Sequence, residues 1–118
     1  MDYRNLKVWQ KSHSLVLLLY KLSARFPDSE RYGLTSQIRR SAVSIPANIA
    51  EGCARGGDAE FGRFIQIAKG SAGELDYHLL LARDLNFISE TEYQKALPLL
   101  NEVRRMLSSF FSKLKNSC

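Results

Sequence analysis

Apolar side chains recur along this chain at steps of three and four, the spacing that lines one side of a 3.6-residue helix. The clearest run lies between residues 34 and 56. There Leu34, Ile38, Ala42, Ile45, Ile49 and Cys53 share one face, while Arg39, Arg40 and Glu51 take the other. Pro46 falls inside this pattern. Its ring clashes with the Ala42 carbonyl and it donates no hydrogen bond, a defect of roughly 3 kcal/mol in a helix interior. A bend is expected there, held by packing against other helices.

The first helix is predicted over 6–25, from Asn5 as its cap to a stop before Pro27. It carries two apolar stripes: Leu6, Trp9, His13, Val16 and Tyr20, and then Val8, Leu15, Leu19, Leu22 and Phe26. A helix in a lone bundle needs only about a third of its circumference dry. The surplus predicts burial against another subunit. Turn residues in FPDSERYG (26–33) lead to the second helix, 35–55, with Thr35 and Ser29 as alternative caps. Gly56 and Gly57 close it.

Asp58 is the predicted cap of a third helix over 58–86, whose dry face reads Phe61, Phe64 or Ile65, Ala68, Ala72, Leu75, Leu79 and Ala82. Its middle, Gly70-Ser71-Ala72-Gly73, lowers helix propensity and lets another backbone approach, so a helix crossing is expected there near Pro46. Ser89 and Glu92 form the S-x-x-E capping box of a fourth helix, 89–115, with Ile88 stapling onto Tyr93. Ala96, Leu100, Val103, Leu107, Phe110 and Leu114 then make a coiled-coil-like seam, and Pro98 interrupts its first half. Short links at 56–58 and 86–89 force antiparallel neighbours. The predicted fold is all-α, an antiparallel up-down-up-down four-helix bundle filling 1–118 as one domain.

Composition adds charge to this picture. Seventeen Lys and Arg against twelve Asp and Glu give a formal +5, a balance that favours polyanions. It is uneven: residues 1–57 carry +5, residues 58–87 carry −2 and residues 88–118 carry +2, so the third helix is the acidic element. The candidate phosphate contacts are Arg4, Lys7, Lys11, Arg39, Arg40, Arg104, Arg105, Lys113 and Lys115. A solvated basic face of this kind also serves solubility alone. Aromatic and basic residues do not interleave as in RNA-recognition modules, so binding is expected to the backbone and to be salt-sensitive.

Other chemistry finds little footing. Di-iron bundles use paired Glu-x-x-His motifs; here Glu74 and His78 are four apart, suited to an ordinary ion pair, and His13 has no near ligand. No metal or cofactor is expected. Ser41 and Ser44 lack a nucleophile elbow, and the glycine pairs match no phosphate-binding fingerprint, so the chain reads as no enzyme. Glu51 and Arg55 form an i, i+4 pair, and Asn48 is expected to bond backbone or Glu51 near the proline. Cys53 and Cys118 form no CxxC pair and read as a small packed residue and a free thiol. The longest apolar run, LVLLLY at 15–20, is too short for a bilayer, and the N-terminus lacks a signal-peptide run, so a cytoplasmic protein without membrane contact is expected.

The string YGLTSQIRRSAVSIPANIAEG (32–52) closely resembles the bacterial four-helix bundle, or 23S rRNA intervening-sequence, proteins. NLKVWQKS (5–12) is similar to that family's opening and FGRFIQIAKGSAGELDYHLLLA (61–82) to its third helix, so nearly the whole chain is covered. The family takes its name from where some members are encoded, in insertions within large-subunit rRNA genes. The resemblance implies a homopentamer. It also implies likeness to the basic pentameric accessory protein of diversity-generating retroelements, which works with a reverse transcriptase and its RNA. Two functions follow as expectations: a non-enzymatic homo-oligomer that binds RNA or DNA backbone, or a structural adaptor oligomer that binds another protein.

Overall fold

The helical periodicities resolve into α1 (Lys7–Ser23), α2 (Leu34–Arg55), α3 (Asp58–Asp84) and α4 (Glu90–Ser117), with single 3-10 turns at Tyr3–Asn5 and Asp28–Glu30. The structure is a computed structural model that describes residues 2–117 and the side chains of 2–114. The Lys115 side chain and Cys118 lie outside the described residues. Among the described residues there is no strand.

Cross-helix contacts fix the directions. Arg25 pairs with Glu92 and Lys11 with Glu102, so α1 and α4 run antiparallel. Ser41 meets His78 and Ser44 meets Ser71, so α2 and α3 do likewise. Phe61 packs on Phe110 and Arg83 pairs with Glu90, which sets α3 against α4. The result is an up-down-up-down bundle, 46 Å long and 23 by 20 Å across. No described helix is long and apolar enough to cross a membrane.

The core takes the predicted faces of α2, α3 and α4: Ile38, Ala42, Ile45, Ile49, Ile65, Ala68, Ala72, Leu75, Leu79, Ala96, Leu100, Val103 and Leu107 are all buried. Only one of the two α1 stripes joins it. Val8, Leu15, Leu19, Leu22 and Phe26 are buried, whereas from the other stripe only Val16 is. Leu6 and Trp9 are half-buried, and His13 and Tyr20 are exposed. His13 stacks on Trp9, with ring centroids 4.9 Å apart. Leu17 on the same side is 59% exposed.

Helix ends differ from the sequence reading in instructive ways. Leu6, not Asn5, caps α1, and no side chain satisfies its first amides. At α2 the Glu30 carboxylate, rather than Thr35 or Ser29, accepts from the Leu34 amide at 3.0 Å. Gly56 (φ 69°) and Gly57 (φ 94°) make the left-handed corner into α3, leaving Asp58 inside the first turn. At the far end of α3, Asn86 (φ 64°) completes a Schellman closure: its amide donates to the Arg83 carbonyl and that of Phe87 to Ala82, both at 2.9 Å. The capping box forms in full, Ser89 N–H to Glu92 Oε1 at 2.9 Å and Glu92 N–H to Ser89 Oγ at 3.0 Å. Both α2 and α4 run unbroken through their prolines.

Candidate nucleic-acid interface

The basic side chains separate into those held by the fold and those facing water alone. Arg4 bonds Asp2 at 3.2 Å, and the Arg4 amide and guanidinium hold the Asp2 carboxyl below its ordinary value. Lys11 pairs with Glu102 at 3.4 Å and Arg104 with Asp76 at 3.2 Å. Arg39 is committed most deeply. It donates to Ser23 Oγ at 2.9 Å and to the Tyr20 carbonyl at 3.2 Å, and its guanidinium lies 4.5 Å from the Tyr20 ring centroid. Such an arginine ties α2 to α1.

Lys7, Arg40, Arg105 and Lys113 are exposed and have no hydrogen-bond or ion-pair partner among the described residues. Lys7 and Lys113 line one depression of about 200 Å³ with Val8, Met106, Ser109 and Phe110, where α1 begins and α4 ends. Arg105 sits about two turns before Lys113 on α4. Arg40 lies instead toward the other end of the bundle, on α2. The candidates whose side chains are described therefore do not form one surface. Lys21, Arg31 and Lys95 are exposed and unpaired as well; sequence reasoning passed over them because they belong to no local cluster.

A polar cleft runs between α2 and α3. Gln37, Arg40, Ser41, Ser44, Ser71, Glu74 and His78 line about 570 Å³. Ser44 Oγ and Ser71 Oγ are 2.8 Å apart, so α3 does cross α2 at its small-residue stretch. The contact is made by Ser71; a Cβ added at Gly70 or Gly73 would meet nothing within 4 Å. Asn48 Nδ2 donates to the Ser44 carbonyl at 2.7 Å and to its hydroxyl at 2.9 Å, the backbone partner expected near the proline. His78 meets Ser41 rather than forming an ion pair with Glu74, and Glu51 pairs with Arg55 at 3.4 Å. Cys53 is free and half-buried, and burial pushes its thiol pKa up. Among the described residues no three His, Cys, Asp or Glu side chains gather as a metal-binding group.

The family model of the 23S rRNA-intervening sequence protein matches residues 4–109. The chain belongs to that family. A solved structure from the S23 ribosomal protein family of Bacteroides thetaiotaomicron, a protein of unknown function, superposes with a TM-score of 0.82 at 27% identity, covering 88% of this chain and 97% of that one. No curated protein matches.

Within this 23S rRNA-intervening sequence protein, the most recognisable stretch (32–52) is occupied largely with internal contacts. Arg39 reaches α1, Ser41 and Ser44 reach α3, and Gly52 lies against Phe61 and Phe64. Those residues explain the fold they mark. The unpaired cations sit mostly elsewhere.

Proposed function

We propose that this 23S rRNA-intervening sequence protein is a non-enzymatic, cytoplasmic homo-oligomer, a pentamer, that holds RNA by its phosphate backbone. The observation that carries this reading is the set of exposed cations without internal partners, Lys7, Lys113 and Arg105, at one end of the bundle and along α4. A fully solvated ammonium or guanidinium trades counterions for phosphates at little cost, whereas one already bonded within the protein must first give up that partner. Five chains, each with a formal +5, bring about +25 together and multiply individually weak contacts.

Fluorescence anisotropy with single-stranded RNA and DNA tests it. Affinity should fall steeply between about 50 and 200 mM salt, and Lys7→Glu with Lys113→Glu and Arg105→Glu should weaken it by at least about tenfold. Arg39 is unsuited to this purpose, because its loss would loosen α1 from α2. No detectable binding at low salt would overturn the proposal.

One observation favours the adaptor reading: Leu17, Tyr20 and Val43 stand exposed on the outside of α1 and α2. Under that reading the charge reversals leave retention of a protein partner intact, and Leu17→Asp abolishes it.

A further inference from the structure

The α2–α3 cleft carries an arginine, a glutamate and a histidine that the proposed contact set of Lys7, Lys113 and Arg105 does not use. Its hydrogen bonds place a proton on His78 Nδ1. Ser41 Oγ lies 2.8 Å from the Gln37 carbonyl, which has no hydrogen of its own, so the serine proton goes there. The same oxygen is 3.4 Å from His78 Nδ1 and must accept from it. Nδ1 therefore carries a proton. The residue as a whole is only 7% exposed. No fully buried polar side-chain atom among the described residues lacks a partner. Nε2, which has none within the protein, is therefore not sealed off from solvent, and His78 lines the cleft.

Two charged residues line the same cleft, Arg40 from α2 and Glu74 from α3. Both are exposed, and they form no ion pair. The walls thus offer a planar donor fork, a carboxylate acceptor pair and an imidazole nitrogen, around a space large enough for a nucleoside.

We infer that this cleft receives an unpaired guanine base. Guanine presents N1–H and N2–H side by side, a match for the two Glu74 oxygens, while its O6 and N7 acceptors match the Arg40 fork. The ribose 2′-hydroxyl, both donor and acceptor, meets His78 Nε2. The other bases fail at Glu74. Adenine and cytosine set a lone-pair nitrogen beside their one amino group, and uracil flanks its single N–H with two carbonyls. Single-stranded RNA is read in this manner, on base edges splayed from the stack. The inference rests on the RNA-binding reading but adds a base to it.

Isothermal titration of the full chain with GMP, AMP, CMP and UMP tests it. GMP should bind at least about tenfold more tightly than the other three. Glu74→Gln turns one acceptor into a donor and should erase that preference. Arg40→Gln should weaken GMP by about tenfold without affecting AMP. Circular dichroism confirms that both surface variants remain folded. Equal binding of the four nucleotides, no binding of GMP, or a guanine preference that survives Glu74→Gln overturns the inference. Titration with a guanine-free RNA separates the two proposals: if it binds with the expected salt dependence while GMP shows no preference, the cleft assignment falls and the backbone reading stands.

Discussion

Gly52 and Gly70 both lie inside helices, in opposite surroundings. A Cβ at Gly52 would come within 2.7 Å of Phe61 Cδ1 and 3.0 Å of Phe64 Cβ. Phe61 has little room to yield, since it is buried and packs edge-on against Phe110 at 5.3 Å. Gly52→Ala should gain about 1 kcal/mol of helix propensity and lose more than that to overpacking, a net destabilisation of about 1 kcal/mol. Gly70→Ala meets nothing within 4 Å and should stabilise the protein by about 1 kcal/mol. Urea denaturation of both variants checks the pair. Sequence pointed to Gly70 and Gly73 as the close approach because they cluster, and passed over Gly52, whose role depends on two phenylalanines brought from another helix. Arg39 teaches the same lesson: its charge is visible in the sequence, but the Tyr20 carbonyl and Ser23 hydroxyl that hold it are not.

At the scale of elements, the start of α4 was legible because every atom of its cap lies within four residues. The Glu92 carboxyl is held below its ordinary value of 4.5 chiefly by the Ser89 amide, against the opposing effect of desolvation and with smaller help from Arg25. A carboxyl with a lowered folded pKa stabilises the protein above its unfolded pKa, and that contribution is lost as pH falls through the folded value. Wild type should therefore melt above Glu92→Gln at pH 7, and the gap should close below about pH 4.5. Thermal melts across that range measure it. The exposed Arg25 partner contributes little of this, because water screens it. The starts of α1, α2 and α3 were harder to place, since they use Leu6, a Glu30 carboxylate reaching forward from the preceding turn and a glycine corner in place of a capping serine or aspartate. Helix periodicity was legible throughout, because a 3.6-residue repeat survives whatever the neighbours are. Which α1 stripe would face inward was not, as both carry large apolar residues.

For the whole molecule, two features remain after the core is filled. One is the outer side of α1 and its furrow with α2, where Leu17 is 59%, Tyr20 43% and Val43 38% exposed. The other is the imbalance of charge, with α3 acidic and the rest of the chain basic. Association between copies would cover the first and concentrate the second, and the RNA-binding proposal depends on that concentration for its avidity. Sedimentation velocity of the full chain at micromolar concentration tests this most directly. A single species with the mass of five chains is the predicted result, and a stable single-chain species at the same concentration would contradict it.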